Sequence, residues 1–139
     1  MKLVIDTNVL ISAVFFGGKP RKVVESVIRG HIKACASGEI IKEYEEVLEE
    51  MISRKQGVLR KDLFQFLMKR IEITQPVSEV RVCRDPDDDK FISCAMDAGA
   101  LYIVSGDKDL LDIGKYEGVT IITAAEFCKR FPLFMPESH

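Results

Sequence analysis

Four carboxylates fall within five residues at Asp85-Pro86-Asp87-Asp88-Asp89, directly ahead of the apolar run Phe91-Ile92-Ser93-Cys94-Ala95. Like charges this close repel one another, so the cluster destabilises itself unless something positive sits in it. A divalent cation meets that need. Aspartate also favours helix N-caps and first turns, where it accepts backbone N–H bonds and complements the dipole. Capping alone accounts for one or two of these side chains. The loop gains weight from acids elsewhere in the chain: Asp6 after Leu3-Val4-Ile5, Asp107 after Leu101-Tyr102-Ile103-Val104, and the pair Glu43 and Glu45. Carboxylates without His or Cys partners suit a hard cation with oxygen ligands, Mg²⁺ or Mn²⁺. The matching chemistry is phosphoryl transfer or phosphodiester hydrolysis, in which the metal acidifies a water and offsets charge on the phosphorus group.

The elements that must position these acids alternate along the chain. Lys2-Leu3-Val4-Ile5 reads as a short buried strand, followed by a helix over 7–16 that Gly17-Gly18 breaks. Pro20 opens a second helix that stops near Gly30, and Ile32 to Ala36 is a strand. Ser37 caps a helix to about Ser53 with the apolar stripe Ile40, Ile41, Tyr44, Val47, Leu48 and Met51. At about 100° per residue, Glu43 and Glu45 flank that stripe on opposite sides, so periodicity leaves open which one reaches inward. Gln56-Gly57 is a break within the domain. Lys61 to Lys69 is a helix, Ile71 to Thr74 a strand, and Val80 to Cys83 a further extended piece. After the acidic loop a helix runs to Ala98, with Gly99 as its stop. Leu101 to Val104 is a strand, Lys108 to Leu111 a short helix, and Val119 to Ile122 the last strand. Thr123-Ala124-Ala125-Glu126 has the form of a capping box, opening a helix to Arg130. Residues 132–139 read as a loose tail.

Alternating strands and helices predict an α/β fold with a mainly parallel sheet covered on both faces. Ligands of such sheets bind outside the carboxyl ends of the strands. Asp6 and Asp107 follow strands, and the acidic loop and Ser37-Gly38 precede helices, so all four places fall on that one edge. Glu43 lies within about two turns of it.

Composition narrows the classes. With 139 residues, 47% hydrophobic and 30% charged, the chain is read as one soluble domain over 1–131 with a core of useful size. No apolar run approaches the roughly 20 residues of a membrane span. Asp6 cuts the first apolar run before it resembles a signal peptide, so the expected location is the cytoplasm. Cys35, Cys83, Cys94 and Cys128 form no C-x-x-C pair, and His31 and His139 are the two histidines. A structural zinc site and a thiol hydrolase are therefore not expected. No G-x-x-x-x-G-K-[ST] loop is present, so neither is an NTPase. The net charge of −2 gives no global field for nucleic acid. Local basic groups stand at Lys19-Pro20-Arg21-Lys22, Lys69-Arg70 and Lys129-Arg130 among others.

Four segments together resemble a known family. They are Val4-Ile5-Asp6-Thr7-Asn8-Val9-Leu10, Ile40-Ile41-Lys42-Glu43-Tyr44-Glu45-Glu46-Val47-Leu48, Asp85-Pro86-Asp87-Asp88-Asp89, and Ile103-Val104-Ser105-Gly106-Asp107-Lys108-Asp109-Leu110-Leu111. In this order they resemble the PIN-domain proteins, in the branch of toxin components of bacterial and archaeal toxin–antitoxin systems. The resemblance implies a PIN-like three-layer sandwich around a central parallel five-stranded sheet of order 3-2-1-4-5. It also implies a ribonuclease site of four acids, Asp6, Glu43, Asp88 and Asp107, holding Mg²⁺ or Mn²⁺. Glu43 is selected over Glu45 because it precedes Tyr44 in the motif. Asp88 is selected within its loop because Phe91 and Ala95 follow at the family's spacing, with Phe in place of Ile or Leu. Asp85 and Asp89 remain contenders, and Asn8, Ser105 and Asp109 are accessory candidates. Ser105 stands where the family often has Thr and keeps the hydroxyl.

The implied activity is endoribonuclease, with RNA as substrate, a cognate antitoxin protein as partner and a homodimer as assembly. Two other readings compete. A Mg²⁺-dependent phosphatase of the haloacid-dehalogenase type wants a second Asp two residues after the first, where this chain has Asn8. A non-catalytic binding module of the same fold would keep the acids without using them.

Overall fold

The computed structural model describes residues 1–54 and 60–136. The expected Gln56-Gly57 break and the end of the tail, 137–139, lie outside the described residues. The strands are β1 (Lys2–Ile5), β2 (Lys33–Ala36), β3 (Glu72–Ile73), β4 (Tyr102–Val104), β5 (Lys115–Tyr116) and β6 (Val119–Ile122). The helices are α1 (Thr7–Phe15), α2 (Gly18–Ile28), α3 (Gly38–Arg54), α4 (Lys61–Met68), α5 (Asp89–Ala98), α6 (Lys108–Ile113) and α7 (Ala124–Arg130).

Leu3, Val4 and Ile5 are each fully buried. Successive strand side chains point to opposite faces, so β1 must be covered on both. It is the middle of a sheet ordered β3-β2-β1-β4-β6-β5. Every pairing from β3 to β6 is parallel, in the order expected for five strands. The sheet has a sixth strand that the sequence reading did not include. Lys115-Tyr116 pairs antiparallel with β6 through the tight turn Glu117-Gly118, both at positive φ (48° and 84°). Positive φ at both central positions is the hairpin geometry that matches strand twist, normally signalled by Asn-Gly or Asp-Gly.

α5 packs against β1, β2, β4 and β6, while α2 packs on both α1 and α7. The seven residues from Asp89 to Ala95 are all buried, so α5 is a core helix and not a surface one. Gly99 closes it in the left-handed conformation (φ 72°), as its position predicts. α3 is the opposite case: Ile40, Tyr44 and Leu48 are buried at every fourth residue, half-buried Ile41, Val47 and Met51 flank them, and the opposite face is solvated.

Two further expectations change. Val80 to Cys83 is not a strand; the N–H groups of Val82 and Cys83 go to the Asp89 carboxylate, at 3.1 and 2.8 Å, and join no ladder. The tail is not loose where described. Pro132–Phe134 forms a 3-10 turn, and Phe134 stacks on Phe131 and on His31 with centroids 5.8 and 6.4 Å apart.

Candidate active site

Parallel register sets the row of residues just past the strand ends. Ile5 pairs with Val104 and Val104 with Ile122. Ladder bonds continue one step further, from Asp6 N–H to Val104 C=O and from Ser105 N–H to Ile122 C=O, at 3.0 and 2.9 Å. Asp6, Ser105 and Thr123 therefore stand side by side on the carboxyl edge. Ser37, one past β2, opens α3 on the same row and accepts the Ile40 N–H in its side chain.

Asp6 occupies the N-cap position of α1, yet its side chain accepts no capping bond. The carboxylate is 4% exposed and accepts the Ser105 hydroxyl at 2.6 Å. Burial raises its pKa first; the Ser105 bond lowers it, and the charges of Asp107 and Glu43 raise it again. Asp88 stands at the N-cap of α5 and also makes no side-chain cap bond. Its pKa is pushed up to about 6, by burial and then by the charges of Asp107, Asp6 and Asp85. Asp6, Asp88 and Asp107 thus lie within electrostatic reach of one another although 101 residues separate the first from the last. Asp107 caps α6 through one oxygen, accepting the Leu110 N–H at 3.2 Å, and its own N–H donates to Ser105 Oγ at 3.0 Å. Ser105, fully buried, links the ends of β1 and β4.

Glu43 turns inward and Glu45 is exposed, which resolves the choice that periodicity left open. Tyr44 carries the positioning: its ring is fully buried and its hydroxyl donates to the Ile5 carbonyl, pinning α3 to the end of β1. One oxygen of Glu43 accepts the Thr7 hydroxyl. The other lies 2.9 Å from Lys90 Nζ.

The remaining candidates separate. Asp85 caps the 3-10 turn Pro86–Asp88 by accepting the Asp87 N–H at 3.0 Å. Asp89 is directed away from the other acids, to the Val82 and Cys83 N–H groups. Asp109 makes a 3.8 Å ion pair with Arg84 at the surface. Asn8 is exposed and lines a cavity of about 440 Å³ with Ser105, Gly106, Lys19 and Thr123, beside the acids. A second cavity, about 470 Å³, opens on the other side between Glu39, Val80, Arg81, Asp89 and Ser93. Sequence reasoning missed Thr7 and Lys90. Lys90 had one local signal, its spacing three residues after Asp87, which the 3-10 turn leading into α5 turns into a contact.

Among the described residues, no three His, Cys, Asp or Glu side chains form a ready-made metal cage. The donor set nevertheless fits a hard cation: it consists of oxygens, and the two acids without capping bonds are raised by burial first and then by neighbouring carboxylates. A thiol mechanism does not fit. Burial pushes Cys83 and Cys94 up to about 12, so neither is a thiolate at neutral pH.

Comparison with known proteins agrees with this architecture. The chain is 34% identical to the uncharacterized protein MJ1680 of Methanocaldococcus jannaschii, over 97% of this chain and 94% of that one. Its fold is similar to a chain in the crystal structure of VapBC2 from Rickettsia felis bound to a DNA fragment from their promoter. There the TM-score is 0.52 at 15% identity, covering 87% of this chain and 97% of the other. The profile of the PIN domain matches residues 2–109, a span that begins at β1 and ends in α6, past Asp107. The chain belongs to the PIN-domain family.

Proposed function

We propose that the protein is a metal-dependent endoribonuclease that hydrolyses RNA phosphodiesters as the toxin of a toxin–antitoxin pair. The observation that carries this is the state of Asp6 and Asp88: two helix-start aspartates that cap nothing, sit beside Asp107, and are both raised by burial and by like charge. Such an arrangement costs stability and suits a bound cation. Asp6, Asp88 and Asp107 would hold Mg²⁺ or Mn²⁺, with Glu43 completing the shell or orienting water. The cation, when bound, supplies Lewis acidity, making water a nucleophile at neutral pH and offsetting charge on the phosphoryl oxygens.

The chain's own groups do the positioning. Ser105 fixes the Asp6 carboxylate through its hydroxyl and the Asp107 backbone through its oxygen. Thr7 and Lys90 fix Glu43. Asn8 and Lys19 line the cavity beside Ser105, where an amide and an ammonium suit the sugar and phosphate of a neighbouring nucleotide. Single-stranded RNA is the expected substrate because its backbone bends into an edge cleft. A cognate antitoxin is the proposed partner, in keeping with the VapBC2 likeness; in this proposal the antitoxin covers the acidic edge and the working form is a cytoplasmic homodimer.

The test is cleavage of a mixed-sequence single-stranded RNA with Mn²⁺, with Mg²⁺ and with EDTA, by wild type and by Asp88→Asn. Wild type should cleave only with metal, and the variant should be slower by about 100-fold or more. Cleavage in EDTA, or equal rates for the two proteins, would refute the proposal.

A further inference from the structure

Lys90 is in the first turn of α5, where the helix dipole disfavours a cation, and it is 8% exposed. Burial without partners would push a lysine to lose its proton. This one has partners for all three of its N–H donors. Nζ lies 2.9 Å from Glu43 Oε1, 2.9 Å from Asp87 Oδ2 and 2.8 Å from the Asp87 carbonyl. The Phe91 ring lies 5.2 Å from the ammonium.

The consequence falls on Glu43. Both its oxygens are engaged, one by Lys90 and one by Thr7, and it shares the Lys90 charge with Asp87. A cation ligated by Glu43 would stand beside the Lys90 ammonium, which lies 2.9 Å from the same carboxylate and repels it. Asp6 and Asp88 are differently placed: the Asp6 carboxylate meets a hydroxyl and Asp88 makes no cap bond. The acidic edge therefore has two halves, one with its own fixed cation and one without.

We infer that Lys90 is a built-in cation that takes the place of a second metal ion, so that the protein binds one divalent ion per chain and Glu43 is held as a positioning residue. This rests on the metal-dependent reading above. It goes further by assigning the ion's number and removing Glu43 from its ligands. Lysine serves here because a monovalent group tethered to α5 bridges Glu43 and Asp87 and offsets one of their two charges at any metal concentration. It thereby fixes the α3–α5 spacing before metal arrives.

The test is Mn²⁺ titration by calorimetry at neutral pH, with thermal melting of the metal-free proteins alongside. Four proteins are compared: wild type, Lys90→Met, Glu43→Gln, and Lys90→Met/Glu43→Gln. Wild type should bind one ion. Lys90→Met frees the Glu43 and Asp87 carboxylates, and should bind a second ion and melt lower without metal. The double variant removes ligand and counter-ion together, so it should return to one ion and recover much of the lost melting temperature. If Lys90→Met fails to fold, Glu43→Gln decides the matter: it should still bind one ion, and loss of that ion would overturn the inference. Two ions on wild type, or one ion on Lys90→Met whatever its melting, would overturn the inference while leaving a metal-dependent nuclease intact. No ion on wild type would overturn both.

Discussion

Asp88 and Asp89 are consecutive, and the fold treats them in opposite ways. Asp89 accepts the N–H groups of Val82 and Cys83; burial raises its carboxyl, but those bonds and Arg81 outweigh it, and the pKa ends below the usual range. Asp88 makes no cap bond, and burial with the charges of Asp107, Asp6 and Asp85 pushes it up to about 6. The same split runs through the other acids. Asp85 caps a turn and Asp87 meets Lys90, while Asp6 starts a helix without capping it. An acidic cluster is thus two populations. One uses its charge to hold the chain; the other is held against its own preference and keeps that charge for something else.

Substitution should separate the two populations most widely in catalysis. Asp6→Asn and Asp88→Asn should each reduce metal-dependent RNA cleavage by about 100-fold or more. Asp89→Ala should stay within about 10-fold of wild type, at or below the lower end of the roughly 10–100-fold range of groups that act through a neighbour. Initial rates in Mn²⁺ would show it, and equal losses at Asp88 and Asp89 would erase the distinction.

Stability should reverse the ranking. Asp89→Ala leaves the Cys83 and Val82 N–H groups without their acceptor and should cost about 1–3 kcal/mol in urea unfolding. Asp88→Asn should instead stabilise the metal-free protein at pH 7. The sign follows from linkage: a carboxyl whose folded pKa lies above its unfolded value binds protons more readily when folded, so stability falls as pH rises between the two. The penalty is absent below the ordinary value of 3.8 and complete above about 6. Discounted for its partial exposure, the gain is about 1 kcal/mol at pH 7, vanishing by about pH 4. Unfolding in EDTA at both pH values measures it. The smallest effect should come at Asp109, whose 3.8 Å pair with Arg84 is at the surface; Asp109→Ala should change stability by about 0.5 kcal/mol or less.

The parts legible in the sequence are those fixed by local pattern. Leu3-Val4-Ile5 announces a strand buried on both faces, so Asp6 had to fall at its end. The Ile40, Tyr44, Leu48 stripe put Glu43 on a flank, although choosing it over Glu45 needed the Tyr44 contact with β1 or the family motif. The parts that were not legible depend on partners distant in sequence. Lys90 meets Glu43 across 47 residues, and nothing near Lys90 reports that glutamate. Val80 to Cys83 looked like a strand because its residues favour one, but Asp89 takes the N–H groups a ladder would need. The β5–β6 hairpin escaped because its turn is Glu117-Gly118, with a glutamate in a left-handed position that more often carries Asn.

The most direct test of the contrast is carboxyl-carbon NMR titration of Asp88 and Asp89 in the metal-free protein, repeated with Mg²⁺. Asp88 should titrate near pH 6 and Asp89 below 3.8, and Mg²⁺ should lower the Asp88 value while leaving Asp89 unchanged. If both titrate together near 3.8 and Mg²⁺ moves neither, the acidic edge does not hold a cation through Asp88.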